Sequence, residues 1–127
     1  MESGLKPTES ELEIFQILWI KGTATVRQVN DELSKYRKVG YTTTLKIMQI
    51  MFEKGMVSRT EQGRYHVYKA EVEEDNTQKL LLNRFIDKTF RGSASRMVMQ
   101  ALGNQTVSRE ELDEIKELLN KIEGKAD

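Results

Sequence analysis

Thr42, Thr43, Lys46 and Gln49 follow one another at spacings of one, three and three, while Thr44, Ile47, Met48 and Met51 alternate with them. On a helix the first set makes a polar face and the second an apolar stripe, because residues three and four apart share a side. The polar set suits the edges of base pairs. Gln bonds adenine bidentately, Lys reaches guanine acceptors or phosphate, and Thr offers a hydroxyl to phosphate and a methyl to thymine. Tyr41 and Leu45 flank this face. Downstream, Arg59 and Arg64 flank an expected hairpin turn at Glu61-Gln62-Gly63, where they would enter a minor groove or neutralise phosphates. Lys35, Arg37, Lys38, Lys54 and Lys69 concentrate further charge around the same helix and are expected to add phosphate contacts. Such a face is also the ordinary solvated side of a helix. The order of helix, basic turn, helix and hairpin is what favours DNA reading, since it is the order of a winged helix-turn-helix.

Other chemistries find little support. The chain has 127 residues, no Cys and one His, which excludes thiolate nucleophiles and disulfides and leaves no metal site built from several His; no cofactor is expected. His66 falls in an expected strand with no nucleophile or carboxylate in a recognisable arrangement, so its expected role is structural or exposed. The carboxylates Glu9, Glu11 and Glu13 read as helix N-terminal residues complementing the dipole, and Gly-rich phosphate loops are absent. Met48, Met51, Met97 and Met99 read as fillers of core gaps. The chain is therefore not expected to be an enzyme. No apolar run is long enough to span a membrane and no signal-peptide pattern is present, which makes the expected location cytoplasmic, with no membrane insertion.

The elements that must position the polar face are announced by their caps. Thr8 with Glu11, Thr25 with Gln28 and Ser108 with Glu111 are capping boxes, each opening an amphipathic run. Leu12, Phe15, Leu18 and Trp19 face a core from the first helix, which stops near Gly22. Val26, Val29, Leu33 and Tyr36 do so from the second. Thr42 or Thr43 is expected to cap the third helix, and Gly55 to end it. Val57 to Thr60 and Arg64 to Ala70 then read as strands. The fold class is mainly α with a small β-hairpin, a winged helix-turn-helix domain over residues 1–71 followed by a helical dimerisation domain over 72–127.

The second part differs in charge and in apolar pattern. Residues 1–70 carry 11 Lys and Arg against 8 Asp and Glu, a net +3, and residues 71–127 carry 9 against 12, a net −3. The sign change fits an anionic partner for the first part only. Leu81, Phe85 and Ile86 lie on a long helix ending near Gly92; Met97, Val98 and Ala101 lie on a short one. Leu112, Ile115, Leu119 and Ile122 follow at i, i+3, i+7 and i+10. These helices carry more apolar surface than a thin appendage buries on itself, which marks Leu81, Phe85, Ile86, Met97, Leu112, Ile115 and Leu119 as dimerisation residues. A two-fold homodimer sets two reading helices on two half-sites, so the expected partner is double-stranded DNA with a palindromic operator.

Five segments, ELEIFQILW (Glu11 to Trp19), TVRQVNDEL (Thr25 to Leu33), YTTTLKIMQIMFEKGMV (Tyr41 to Val57), RYHVYKA (Arg64 to Ala70) and GSASRMVMQAL (Gly92 to Leu102), carry a resemblance. Together they resemble the penicillinase-repressor, or BlaI/MecI-type, family of winged-helix transcriptional regulators. The resemblance implies a homodimeric transcriptional repressor with a winged helix on DNA and a helical C-terminal dimerisation domain. In β-lactam-responsive members it further implies a membrane metalloprotease sensor as partner, and inactivation by cleavage at an Asn-Phe bond. Here Gln100-Ala101 stands at the matching position, a departure from that pattern. Copper-responsive members carry a C-terminal cysteine cluster, which this chain lacks. The alternative to a repressor is a winged-helix protein-interaction module whose third helix packs on a protein and never meets DNA.

Overall fold

The computed structural model describes residues 5–125. Its elements run in the order α1 (Glu9–Lys21), α2 (Val26–Leu33), α3 (Tyr41–Glu53), β1 (Val57–Gln62), β2 (Tyr65–Ala70), α4 (Glu74–Phe90), α5 (Ala94–Asn104) and α6 (Arg109–Lys125). The three capping boxes are formed. The Thr8 amide donates to Glu11 Oε1 at 2.9 Å and the Glu11 amide to Thr8 Oγ1 at 3.1 Å. Thr25 with Gln28 and Ser108 with Glu111 repeat the exchange. Each box satisfies two amides that a helix start otherwise leaves without acceptors.

Two helix ends differ from expectation. α3 starts at Tyr41 behind an extended Gly40, with no side-chain cap, so Thr42 and Thr43 are not its N-cap but lie in its first turn. Tyr36 is not on α2, which ends at Leu33; it lies in the following turn and is 83% exposed. The turn is closed by Asn30, a buried residue whose Nδ2 donates to the Val39 carbonyl at 3.1 Å and to Thr44 Oγ1 at 2.9 Å. A buried amide needs such acceptors. Meeting that need fixes the entry of α3 against α2.

α1, α2, α3 and the hairpin enclose one core of Ile14, Phe15, Leu18, Val29, Met48, Met51 and Tyr68, all within 1% of full burial. β1 and β2 pair antiparallel from Val57 with Ala70 to Gln62 with Tyr65. The turn is thus Gly63-Arg64 and not Glu61-Gln62-Gly63, and Gly63 supplies the positive φ of 61° that a two-residue hairpin with glycine first requires. Ala24, between α1 and α2, exchanges backbone hydrogen bonds with Tyr68 at 3.0 and 2.8 Å, fastening the hairpin to the helices.

The chain divides into two compact units after Leu81, inside α4. The stretch after residue 71 is still tied to the first unit, since Trp19 Nε1 donates to the Val72 carbonyl at 3.0 Å and Val72 packs on the core. The second unit is built differently. α5 and α6 contain no buried residue, and Phe85, Met99, Leu118, Leu119 and Ile122 are each more than half exposed. Met99, at 71%, is no core filler, whereas Met48 and Met51 fill the core of the first unit.

Candidate nucleic-acid interface

α3 turns Thr44, Met48 and Met51 fully inward. With 3.6 residues per turn the opposite side then belongs to Thr42, Lys46, Gln49 and Glu53, all exposed. Thr43 is exposed beside them, and Tyr41 is 40% exposed at the helix start. The helix therefore presents the polar set as one face, held by a core on its other side.

Two hollows border that face. The first, about 250 Å³, lies between the start of α2, α3 and β2, and takes Arg27, Tyr41, Gln49, Arg64, Tyr65 and His66 into its walls with no carboxylate among its lining residues. The second takes Lys46, Gln49, Phe52, Glu53 and Arg59. Gln49 stands on the ridge common to both. Thr42, Thr43 and Lys38 line neither; Lys38 is exposed in the loop before α3.

The two wing arginines part company. Arg64 occupies the turn itself and is exposed. Arg59 does not flank the turn; it pairs with Tyr68 within the ladder and lies on the face turned toward α3. Its guanidinium carbon sits 4.0 Å from the centre of the Phe52 ring, and its Nη1 is 3.5 Å from the Tyr68 hydroxyl. The alternation of a strand explains this: Val57 and Arg59 share a face, and Val57 is core. Arg59 thus approaches the hollow beside Lys46 and not the tip of the wing.

The remaining cations sort by partner. Lys54 Nζ binds Glu11 Oε2 at 2.9 Å, Arg37 Nη2 binds Glu13 Oε1 at 2.8 Å, and Lys21 and Lys35 share Glu32. Lys35 and Glu32 reinforce each other, the hydrogen bond between them raising the lysine and lowering the carboxyl relative to their ordinary values. Lys35, Arg37 and Lys54, expected to meet phosphates, are thus engaged with carboxylates. Among the described residues between 26 and 70, Arg27, Lys38, Lys46, Arg59, Arg64 and Lys69 have no carboxylate partner, and all six surround α3 or lie on the wing; Lys6 and several cations of the second unit hold none either. The sequence reading missed Arg27 and Tyr65. The signal for Arg27 was its place in the first turn of α2, two residues past a clear N-cap.

The residues expected to join two protomers lie on three helices. Phe85 is 51% exposed and Leu119 56%; Leu81, Met97, Leu112 and Ile115 are partly covered. Ile86, at 8%, is already buried within the chain and offers little surface to a partner. Phe85 packs edge-on to Phe90 with ring centres 5.7 Å apart. Among the described residues no three His, Asp or Glu side chains cluster as a metal site, and no helix is long and apolar enough to cross a membrane.

The fold recurs in solved structures. The YusO protein from Bacillus subtilis superposes with a TM-score of 0.53 at 16% identity, covering 94% of this chain and 77% of that one. A mutant MarR from E. coli, complexed with operator DNA, gives 0.52 at 15%, covering 95% and 79%. Among curated proteins, the penicillinase repressor of Staphylococcus aureus is 22% identical over 116 residues, 91% of this chain and 92% of its own length. The methicillin resistance regulatory protein MecI of Mammaliicoccus sciuri is 24% identical over 114 residues, 90% and 93%. The penicillinase repressor of Bacillus licheniformis is 25% identical over 112 residues, 88% of each. Residues 7–121 match the model of the penicillinase repressor family. The chain belongs to that family, and is a winged-helix DNA-binding transcriptional repressor and not an enzyme.

Proposed function

We propose that the chain represses transcription as a homodimer on a palindromic operator, with Thr42, Thr43, Lys46 and Gln49 of α3 in the major groove and Arg64 of the wing on the flanking backbone. The observation that carries this reading is the exposed polar face of α3, with Lys46 on it and Arg27, Lys38, Arg59, Arg64 and Lys69 beside it or on the wing, none of them holding a carboxylate. An unpaired cation beside polar groups on a helix is what a phosphate and a base edge together require. Arg59, steadied by Phe52, serves the same groove beside Lys46.

Residues 1–71 form the DNA-binding part in this scheme and 72–127 join the protomers, through the open apolar faces of α4 and α6. On α6, Leu112, Ile115, Leu119 and Ile122 alternate at spacings of three and four, the repeat that lets one helix lie along another. The dimer works in the cytoplasm, and occupancy of the operator excludes transcription. Release by the proteolytic route implied by the resemblance, with a membrane metalloprotease sensor as partner, would meet Gln100-Ala101 at the position where responsive members carry Asn-Phe. Both residues are exposed on α5.

Selection of bound duplexes from a random pool tests the central reading, with palindromic enrichment as the expected result. On the selected duplex, Gln49→Ala should lose about 1–3 kcal/mol of discrimination against a changed base pair. Arg64→Ala should weaken selected and scrambled duplexes alike and flatten the salt dependence. Equal losses on both duplexes for Gln49→Ala would remove Gln49 from the groove. A chain that enriches no sequence and shows no salt-sensitive binding is the protein-interaction module instead.

A further inference from the structure

The cleft between α2, α3 and the wing holds a side-chain pair that base reading does not require. Arg27 is the second residue of α2, and its guanidinium carbon lies 5.0 Å from the centre of the Tyr41 ring at the start of α3. A guanidinium laid on an aromatic ring uses its flat face for that contact, while its five N–H donors, which lie in its plane, stay available. No carboxylate lines the cleft to compete for them, and the facing wall brings Arg64 and His66. Beneath Arg27, the capping box engages the amides of Thr25 and Gln28. The amides of Val26 and Arg27 belong to the same first turn, where a helix has no internal acceptor for them. A cation positioned at the first turn of α2, with Arg64 lining the same hollow, suits an anionic group such as a phosphate.

We infer that Arg27, held in place by Tyr41, grips a phosphate of the DNA backbone next to the bases read by α3. Tyr41 is then a positioning residue, acting through Arg27 and not through a base contact of its own. The inference rests on the proposal that α3 reads DNA. It adds a strand contact from α2, so that the phosphate chain is held from α2 on one wall and from Arg64 on the other.

The test is fluorescence anisotropy with a duplex selected by the wild-type protein and a scrambled duplex of equal length, each at about 50 and about 200 mM KCl. Arg27→Gln should weaken binding to both duplexes alike and shrink the loss of affinity between the two salts by roughly threefold, the share of one phosphate contact. Tyr41→Ala should do the same, Tyr41→Phe should bind as wild type, and Arg27→Gln combined with Tyr41→Ala should bind no more weakly than Arg27→Gln alone. Both side chains are exposed, and unchanged thermal melts confirm that the variants fold. Two results overturn the inference: an unchanged salt gap for Arg27→Gln, or Tyr41→Phe as weak as Tyr41→Ala, which would give the contact to the hydroxyl. If the wild-type protein shows no salt-sensitive binding, the reading of α3 falls as well. If it does bind and Arg27→Gln keeps the salt gap, only the grip of Arg27 falls.

Discussion

The first unit closes on itself and the second does not. Phe15, Met48, Met51 and Tyr68 are sealed within the winged helix, and the buried side-chain amide of Asn30 finds two acceptors. In the second unit the apolar residues are as regularly spaced, yet Leu118, Leu119 and Ile122 stay more than half exposed. Apolar periodicity specifies which side of a helix is to be covered and leaves open what covers it. In the first unit neighbouring elements of the same chain do so. In the second, the cover is what the proposed homodimer would supply from a second protomer.

The largest expected effect tests the closed side of that contrast. Phe15→Ala removes a fully buried ring stacked on Trp19 at 5.2 Å between centres, and should cost about 3–5 kcal/mol. Trp19 is the single tryptophan, so its fluorescence during urea unfolding reports this unit directly. Leu119→Asp probes the open side. Its charge falls on an exposed site of α6, so the Trp19 transition should move by less than about 0.5 kcal/mol. The same change should turn a dimer into a monomer in sedimentation and lower affinity for a two-half-site duplex about a hundredfold, because the second half-site is no longer tethered. A shift of the Trp19 transition comparable to that of Phe15→Ala would break the contrast between the units.

What the sequence disclosed follows the same division. Caps and periodicities are local, so Thr8 with Glu11, Thr25 with Gln28, Ser108 with Glu111 and the inward stripe of α3 were legible. The start of α3 was not, because Gly40 begins it through backbone conformation and its place is set by Asn30, whose bond to Thr44 spans fourteen positions. The hairpin was legible but its turn was misplaced by taking Gly63 as the last turn residue and not the first; that shift sends Arg64 to the tip and Arg59 inward. The polar face of α3 could be written from spacing alone. Lys54 and Arg37 could be set apart from the other cations only by seeing Glu11 and Glu13 reach them across the fold.

Glu11 offers the finer test, because this capping-box partner of Thr8 is only 3% exposed. Burial by itself raises its carboxyl; the Thr8 amide and the ammonium of Lys54 outweigh that and hold it below its ordinary value of 4.5. A carboxyl held low in the folded state stabilises it above the unfolded value and ceases to do so as pH falls through the folded one. The winged helix should therefore lose stability as pH drops below about 4.5, over the range in which Glu11 takes up its proton. Glu11→Gln keeps an acceptor for Thr8 and gives up the charge facing Lys54, so it should cost about 1–2 kcal/mol at neutral pH. That difference should shrink as pH falls through the range in which the folded carboxyl takes up its proton. On α6 the ion pair of Arg109 and Asp113, 3.6 Å long with side chains 75% and 59% exposed, is open to solvent. Asp113→Asn should leave the helix signal of the protein unchanged, since water screens such a pair. Should Glu11→Gln prove as silent as Asp113→Asn, the charge across Lys54 contributes nothing to the closure of the first unit, and its apolar core alone separates it from the second.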